Sequence, residues 1–279
     1  MIISVASGKG GTGKTTIATN LAAVIKNSTY VDCDVEEPNG AIILKPDFDY
    51  TKSIYKKLPK IDTFKCTYCG KCKTVCEFNA IVFILGEVLV VDEMCHSCGA
   101  CSYFCPENAI SEIVKEIGKI NIGRAGEINF IEGVLNIGEA SASPLIKELI
   151  KTKINDGVTI LDSPPGTSCS MVEVVKNSDY CILVTESTPF GLHDLKLAIK
   201  AVKNLGINFG VIINKCDPMY KELDEYLAVE NIEILTKIPF EKKYAELYSS
   251  GELLIKDTIF RGKMQSVYLN IENKLKDIK

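Results

Sequence analysis

The sequence contains no tryptophan, only two histidines and no large excess of charge, since its 279 residues carry a formal net charge of -4. It also contains no apolar run of about 18 residues, the length that a membrane-spanning helix requires. These absences argue against a membrane span and against a nucleic-acid partner, which a strongly basic surface would attract. The opening residues, MIISVASGKGG, do not have the charged and apolar segments of a signal peptide, so we expect a cytoplasmic protein.

Cysteine, in contrast, is abundant and unevenly distributed. The chain has 12 cysteines, and eight of them lie between Cys66 and Cys105. Apolar residues make up 46% and charged residues 24%, which is typical of a globular chain that buries a full core. Because disulfides are rare in a reducing cytosol, the concentrated cysteines indicate metal ligands or redox groups rather than a disulfide framework.

Short apolar runs alternate with helical patterns on both sides of the cysteine-rich stretch. Strands are predicted at Ile2 to Ala6, Thr29 to Asp32, Val158 to Leu161, Cys181 to Thr185, Phe209 to Asn214 and Ile232 to Ile238. Helical patterns are predicted at Lys14 to Lys26, Ser141 to Lys153, Leu192 to Leu205 and Met219 to Glu230. This alternation is typical of an α/β fold with a doubly wound, mostly parallel sheet.

Residues 61–112 interrupt the alternation and contain an internal repeat. The segment CEFNAI, which begins at Cys76, returns as CPENAI at Cys105, an offset of 29 residues. Because strand patterns of one sheet lie on both sides, we predict a small domain, 61–112, inserted into a large domain formed by 1–60 and 113–279. Residues 113–138 contain several glycines and are predicted to form hairpins or an irregular return path.

A glycine-rich segment follows the first predicted strand. Gly8 to Thr15 reads GKGGTGKT and fits the phosphate-binding pattern G-x-x-x-x-G-K-[ST] between a strand and a helix. Glycines let backbone N–H groups surround phosphate oxygens at the positive end of the helix, and the loop residues that would do so are Gly8, Gly10, Gly11, Thr12 and Gly13. Lys14 would contact the β- and γ-phosphates, and the Thr15 hydroxyl would bind Mg²⁺. The alternative, a tight glycine-rich turn, leaves the flanking elements and the Lys-Thr pair unexplained.

The same loop has a second lysine, Lys9, and with Thr16 it reads KGGTGKTT. It resembles the deviant Walker A motif of the MinD/ParA/Mrp superfamily, which includes the nitrogenase iron protein. In that superfamily the first lysine reaches across a dimer interface to the partner's nucleotide. The resemblance therefore implies a homodimer with ATP at the interface, whereas the alternative for Lys9 is a solvated surface lysine.

Two acidic segments are similar to the nucleotide switches of this superfamily. Asp34 lies in DCDVEEPN after the second strand, and the resemblance implies that it orients or activates the attacking water. Asp162 lies in DSPPGT, where the resemblance implies that it holds Mg²⁺ through water. The N–H of Gly166 in that segment would sense the γ-phosphate. The alternatives for both acids are helix caps or turn residues.

The ends of two later strands complete the predicted nucleotide site. In the superfamily these positions line the adenine pocket, and here they are Asn214, Pro239 and Glu241. A carboxamide can donate to and accept from one base edge, which suits Asn214. For Pro239 and Glu241 the alternative is loop packing.

Two cysteine runs share the spacing C-x2-C-x2-C-x3-C of bacterial two-cluster ferredoxins, in which the fourth cysteine of each run binds the other cluster. The runs are Cys66, Cys69, Cys72, Cys76 and Cys95, Cys98, Cys101, Cys105. This spacing predicts one [4Fe–4S] site at Cys66, Cys69, Cys72 and Cys105 and a second at Cys95, Cys98, Cys101 and Cys76. A pair of zinc sites is the alternative, but zinc prefers separated C-x2-C pairs.

Several other sequence features have less specific interpretations. The stretch from Lys45 to Lys73 carries eight lysines, which either steer an acidic partner or form a solvated linker face. Of the four cysteines outside the runs, Cys33, Cys181 and Cys216 are predicted core residues. Cys169 follows the second switch segment, and a bridging cluster between subunits is a hypothesis for it. A C-terminal stripe of Val267, Ile271, Leu275 and Ile278 predicts a helix docked on the sheet.

The sequence thus predicts a deviant Walker A ATPase with an inserted small ferredoxin-like domain, using ATP, Mg²⁺ and two [4Fe–4S] clusters. We expect slow, partner-stimulated ATP hydrolysis. The first hypothesis is that nucleotide-dependent dimer switching is coupled to electron transfer through the two clusters to a redox protein. The alternative is an ATP-dependent iron–sulfur scaffold or carrier, as in Mrp-type relatives, with a cluster-accepting protein as its partner.

Overall fold

The computed structural model describes residues 1–139, 141–152 and 157–277 and is organised around a nine-stranded sheet. The strands described are β1 (Ile2–Ala6), β2 (Thr29–Asp32), β3 (Asp47–Ile61), β4 (Ile81–Ile84), β5 (Glu87–Val90), β6 (Ile110–Ala125), β7 (Ile128–Leu135), β8 (Thr159–Asp162), β9 (Tyr180–Glu186), β10 (Asn208–Cys216) and β11 (Ile234–Pro239). The helices are α1 (Lys14–Val24), α2 (Gly40–Leu44), α3 (Lys71–Thr74), α4 (Ala100–Tyr103), α5 (Ser143–Lys151), α6 (Cys169–Val175), α7 (Pro189–Leu205), α8 (Glu222–Val229), α9 (Lys242–Ser249) and α10 (Thr258–Asp277).

The large sheet has the order β11-β10-β9-β1-β8-β2-β7-β6-β3. From β11 to β7 each neighbouring pair is parallel, whereas β6 runs antiparallel to both β7 and β3. The short β4–β5 hairpin forms a separate two-stranded sheet. The predicted doubly wound, mostly parallel sheet is therefore confirmed.

Helices cover both faces of the parallel part of the sheet. On one face α1 and α10 bury apolar side chains against the central strands, among them Ile17, Leu21, Phe260, Met264 and Val267. On the other face α6, α7 and α8 do the same, and α5 packs beside them. The central strands are buried on both sides, which explains why their sequences are continuous apolar runs rather than alternating ones.

The C-terminal helix agrees with the docked helix that the sequence predicts, since Val267 and Ile271 lie in the core. Ile278 from the predicted stripe and Lys153 from the predicted helix before β8 lie outside the described residues. In the parts of the chain that the structure describes, no helix combines the length and apolar character needed to cross a bilayer.

The lysine-rich stretch differs from the predicted linker, because most of it forms the edge strand β3. Residues 113–138 contain most of β6 and all of β7, which are joined as a hairpin, one of the two forms that the sequence predicts for them. β6 pairs with β7 only from Gly118 to Ala125, whereas it pairs with β3 as far as Ile110, which lies opposite Ile61. Residues 55–61 and 110–117 therefore form a two-stranded ribbon that extends from the sheet, and residues 62–109 lie between its two ends.

Candidate functional site

The predicted phosphate loop connects the end of β1 to the start of α1, at the carboxyl edge of the parallel strands. Gly13 has a φ of 91°, a left-handed conformation that favours glycine, and a side chain there would collide with the amide of Asn214. Lys14 is buried and Thr15 half-buried in the first turn of α1. The backbone N–H groups of this turn have no partner within the helix, so the loop and the helix end together suit an anion.

A cavity of about 440 Å³ opens beside the loop and reaches the carboxyl ends of β10 and β11. The predicted residues that line it are Gly10, Gly11, Gly13, Lys14, Thr15, Thr16, Asp34, Asn214, Pro239 and Glu241. Within the described chain, the predicted residues outside its lining are Gly8, Lys9, Thr12, Asp162 and Gly166. Phe240, between the predicted Pro239 and Glu241, lines it too, as do two aromatic side chains that the sequence did not single out, Tyr244 and Tyr248. Such rings offer a flat apolar surface to a base.

The first acidic segment is held by an aspartate that precedes the predicted one. Asp32 is fully buried at the end of β2, and its carboxylate accepts hydrogen bonds from the backbone N–H groups of Asp34 (3.1 Å), Asn39 (3.1 Å) and Gly40 (2.9 Å). Asp34 is left half-buried and faces the cavity. Burial raises the pKa of Asp34 to about 6, although the charge of Lys14 opposes this shift. Such a pKa suits a group that accepts a proton or orients water near neutral pH.

Asp162 lies next to Asp32 in the parallel register of β8 and β2 and is also fully buried. The Tyr30 hydroxyl donates a hydrogen bond to its Oδ2 at 2.9 Å. Its Oδ1 is buried and has no hydrogen-bond partner among the described residues. Burial raises the pKa of Asp162, and the charge of Lys14 partly offsets this shift. A buried oxygen without a partner beside Thr15 and Lys14 fits a hydrated Mg²⁺ ion, for which Asp162 and Thr15 would be the protein groups.

Two predicted contacts to nucleotide are replaced here by contacts within the chain. The N–H of Gly166 donates a hydrogen bond to the carbonyl of Ser7 at 3.0 Å, so it would have to leave Ser7 to reach a γ-phosphate. The Nζ of Lys9 lies 3.9 Å from a carboxylate oxygen of Glu186, and it is partly exposed. This ion pair is long and solvated and contributes little stability, so Lys9 is available to another anion.

The end of the cavity near β10 contains interactions that the sequence did not reveal. The Nδ2 of Asn214 donates a hydrogen bond to the carbonyl of Thr12 at 2.8 Å, so this residue also holds the phosphate loop. The Nζ of Lys215 donates a hydrogen bond to the carbonyl of Gly11 at 2.9 Å. Both residues end β10 but contact a loop about 200 positions earlier in the chain. Only the three-dimensional fold brings them together.

The eight clustered cysteines form two groups in space, each lining one open cavity. We call the group of Cys66, Cys69, Cys72 and Cys105 the first site and the group of Cys76, Cys95, Cys98 and Cys101 the second site. These are the same two sets that the crossed ferredoxin pattern predicts.

The two halves of the cysteine-rich region also share one backbone conformation at an offset of 29 residues. Left-handed residues occur at matching positions, with φ values of 55° and 56° at Tyr68 and Ser97 and of 52° and 49° at Asn79 and Asn108. The helices α3 and α4 match in the same way. In each half a backbone N–H donates to the fourth cysteine, from Ala80 to Cys76 and from Ala109 to Cys105, both at 3.3 Å. The sequence repeat is thus a structural repeat.

Each site offers four cysteine sulfurs, a donor set that suits a [4Fe–4S] cluster and is also found at zinc sites. Within the described residues, no three His, Cys, Asp or Glu side chains converge closely enough to hold one metal ion. Four zinc ligands must converge on one atom, whereas each cysteine of a [4Fe–4S] cluster binds a different iron and the four lie farther apart. Burial raises the pKa of the Cys72 and Cys101 thiols, and metal binding would supply the positive charge that stabilises their thiolates.

The four other cysteines lie outside residues 61–112. Cys33 and Cys181 are fully buried, and Cys216 is partly buried against the helices of one sheet face. Cys169 is exposed at the start of α6, after the second acidic segment. A bridging role for Cys169 stays a hypothesis.

Three comparisons with known proteins agree with this architecture. Residues 3–255 match the family described as the CobQ/CobB/MinD/ParA nucleotide binding domain. An uncharacterized protein of Methanocaldococcus jannaschii is 30% identical, and the alignment covers 96% of each chain. An iron-sulfur cluster carrier protein of Pyrococcus horikoshii is 25% identical over 99% of this chain and 87% of the carrier.

Among solved structures, the cell division ATPase MinD of Pyrococcus furiosus has a TM-score of 0.57 at 17% identity, covering 98% of each chain. At this identity the match supports the fold alone. The family match, which spans the phosphate loop and both acidic segments, carries the assignment. The chain belongs to the CobQ/CobB/MinD/ParA nucleotide-binding family and thus to the MinD/ParA/Mrp superfamily of P-loop ATPases.

Proposed function

We propose that this protein is an ATP-dependent carrier of iron–sulfur clusters, with two cluster sites in a small domain, 61–112, inserted into the ATPase domain of 1–60 and 113–279. The observation that carries the proposal is that two sets of four cysteines line two separate cavities at the end of the ribbon formed by β3 and β6. The similarity to iron-sulfur cluster carrier proteins of three Pyrococcus species favours cluster delivery as the output.

In this proposal the phosphate loop binds ATP through the backbone from Gly8 to Gly13, and Lys14 and Thr15 contact the phosphates and Mg²⁺. Asp162 holds the hydrated ion, and Asp34 orients the water that attacks the γ-phosphate. Lys9 crosses to the nucleotide of a second copy, which makes the active form a homodimer. ATP hydrolysis is slow until a partner protein aligns these groups.

The Gly166 hydrogen bond to Ser7 provides the switch. In the structure the N–H of Gly166 donates a hydrogen bond to the carbonyl oxygen of Ser7, with an N···O distance of 3.0 Å. A γ-phosphate offers a charged acceptor in place of the Ser7 carbonyl, and charge-assisted hydrogen bonds are about twice as strong as neutral ones. Binding of ATP would therefore move the segment after β8, and loss of the γ-phosphate would return it.

A buried ion-pair network connects the large domain to the cysteine-rich region. The Nζ of Lys56 on β3 donates to Glu139 at 2.6 Å and to the carbonyl of Asp92 at 2.9 Å. Lys115 on β6 contacts the same Glu139 at 3.1 Å. Asp92 precedes the second-site ligand Cys95 by three residues, and Glu139 precedes α5. Movement near α5 would reach the second site through these four groups.

Electron transfer is the second candidate function, and one specific observation favours it. Each site has four cysteines in the structure, and a complete ligand set holds its cluster more firmly than a shared or incomplete one. Two adjacent, permanently held clusters are suited to passing electrons to a redox protein. The two candidates share the nucleotide site and differ in what leaves the insert.

The test is anaerobic reconstitution followed by two parallel assays, with a Lys14→Ala variant as the ATPase-deficient control. We expect about eight irons per chain and ATP-dependent transfer of iron and sulfide to an apo-ferredoxin. The Lys14→Ala variant should hold the same iron but lose transfer by at least about a hundredfold. Reduction of an acceptor dye with no movement of iron would instead support the electron-transfer candidate. Failure to bind iron would refute both.

A further inference from the structure

The two cysteine sites share a backbone but differ in charge. In the first half, residues 62–80, three lysines stand against Asp62 and Glu77, whereas the second half, residues 91–109, has three acids and no lysine or arginine. At the 29-residue offset, Lys65 corresponds to Met94, Lys71 to Ala100 and Lys73 to Ser102. Since the conformation is the same in both halves, the backbone does not require these lysines.

The lysines surround the ligands of the first site. Lys65 precedes Cys66, and Lys71 and Lys73 stand on either side of Cys72. All three are exposed, and Lys65 is paired only loosely with Asp62, at 3.8 Å. For Lys71 and Lys73 the described part of the chain offers no ion-pair partner. Lys71 and Glu107 are the charged residues on the lining of the first-site cavity, and Lys65 and Lys73 add two positive charges beside its ligands.

Exposed aromatic side chains lie within two residues of first-site ligands along the chain. Phe64 is fully exposed and Tyr103 is 84% exposed, while Tyr68 lines the first-site cavity itself. Phe104, also partly exposed, packs edge-to-face against Tyr103 and precedes the ligand Cys105. Exposed aromatic residues beside charged ones are typical of protein interfaces rather than of a solvated surface.

The first site is also the outer of the two. Lys57 and Pro59 of β3 line the second-site cavity, whereas Ile61, at the end of β3, lines the first. With a rise of about 3.3 Å per residue, the first site lies roughly 7 to 13 Å farther along the ribbon from the large sheet. The second site is the one tied to the large domain, since Ser97 donates a hydrogen bond to the carbonyl of Lys57 at 2.6 Å.

We propose that the rim of the first site, formed by Lys65, Lys71, Lys73, Phe64 and Tyr103, is the docking surface for an acidic protein that exchanges clusters or electrons with this chain. This inference rests on the proposed function. Long-range attraction to the lysines orients the acidic partner, and the aromatic side chains provide the apolar contact once it arrives. An anionic membrane would match the same charges, but a bilayer offers no acceptor to a cavity that opens within the patch.

The test compares two triple variants that change the net charge equally. The rim variant is Lys65→Glu, Lys71→Glu, Lys73→Glu, and the control is Lys26→Glu, Lys52→Glu, Lys200→Glu, all at exposed positions of the large domain. Association with an acidic plant-type ferredoxin is measured by stopped flow from low salt to about 0.3 M salt. We expect the rim variant to associate at least about tenfold more slowly at low salt, with the difference vanishing at high salt. The control should change by less than about twofold.

Further measurements separate this inference from the function on which it rests. Iron is counted in every sample, and a Lys→Gln triple at the rim replaces the charge reversal if that variant loses iron. A Phe64→Ser variant should dissociate faster with an unchanged association rate. Equal slowing in rim and control variants, or tighter binding to phosphatidylglycerol vesicles than to the acidic protein, would overturn the docking surface. A chain without iron would refute the proposed function, while the comparison of the two triples would still decide the docking.

Discussion

The large domain that the sequence predicts, 1–60 and 113–279, and the cysteine-rich region are stabilised in different ways. In the large domain, strands and helices bury a continuous apolar core, with residues such as Ile3, Leu21 and Ile182 fully inaccessible. In residues 62–109 the helices α3 and α4 bury no residue. The buried residues of this region are Ala80, Ile81 and Ala109. Apolar burial therefore accounts for the stability of the first region, whereas in our proposal the second region is also stabilised by the bonds from its cysteines to metal.

The largest expected effect comes from removing the metal, because it should separate the two regions completely. A Cys69→Ser variant, or chelation of iron under anaerobic conditions, should speed amide hydrogen exchange in residues 62–109 by at least about a hundredfold, equivalent to about 3 kcal/mol. Exchange in β1, β8 and β9 and the binding of nucleotide should not change. Hydrogen exchange followed by mass spectrometry measures both regions at once.

The matched control is Cys169→Ser, which removes an exposed cysteine of the large domain. It should retain all the iron and leave exchange unchanged in both regions. Slow exchange in the iron-free insert would show that apolar packing suffices there and would remove the contrast. Loss of iron in Cys169→Ser would instead support a cluster shared between subunits.

A smaller effect is expected where the two regions meet. Glu139→Gln leaves the buried charge of Lys56 without its carboxylate, and breaking such a buried pair costs about 3 kcal/mol. Urea unfolding followed by circular dichroism measures the loss. Glu148→Gln, which removes an exposed pair with Lys151, should cost less than about 1 kcal/mol.

The contacts of Lys56 with Glu139 and Asp92 also predict which segments lose protection from hydrogen exchange. In Glu139→Gln, hydrogen exchange should increase around Asp92 as well as before α5, because Lys56 contacts both segments. An increase confined to one of the segments would show that the network does not connect the regions. A Lys56→Met, Glu139→Leu double variant, which removes both buried charges, should recover much of the lost stability.

The smallest effect concerns a single carboxylate within the large domain. The pKa of Asp34 is raised to about 6 by burial, above its ordinary value of 3.8, so the folded protein binds a proton there more tightly than the unfolded chain. The cost of the ionised group is present at neutral pH and disappears as the pH falls through about 6 toward about 4. Relative to Asp34→Asn, the unmodified protein should gain about 1 kcal/mol over this range after allowance for solvent screening.

Unfolding free energies of both proteins at several pH values check this sign, and Glu127→Gln, at an exposed position of the turn between β6 and β7, is the control. Hydrolysis of ATP should fall below about pH 6 as the same carboxylate takes up a proton. A flat difference between Asp34→Asn and the unmodified protein would show that Asp34 is solvated.

The sequence predicted the parallel part of the sheet well because strands buried on both faces have continuous apolar sequences. It did not predict β3, whose residues are mostly exposed and rich in lysine. This strand lies at the sheet edge, where Pro59 is tolerated and only residues such as Ile54 and Leu58 face inward. Lys56 points inward as well, and its partner Glu139 is 83 residues away, beyond any local pattern.

The candidate sites divide in the same way. Ligands that occur together in short motifs, such as the phosphate loop and the two cysteine runs, could be read from spacing alone. The hydrogen bonds that support those motifs from distant strands could not be predicted in this way. They run from Tyr30 to Asp162, from Asn214 to the carbonyl of Thr12 and from Lys215 to the carbonyl of Gly11. The role of Asp32 in holding the segment around Asp34 was also missed, because a buried aspartate at a strand end has no distinctive sequence pattern.

The pairing of Ile61 with Ile110 has a consequence for how such a protein could arise. Paired residues on antiparallel strands have Cα atoms about 4.5 to 5.5 Å apart, so the region between them enters and leaves at nearly one point. A short hairpin turn could occupy the same point without changing the register of β3 and β6. The ribbon therefore makes the cysteine-rich region a removable cassette: it can be gained, lost or exchanged in evolution while the ATPase beneath it keeps its fold.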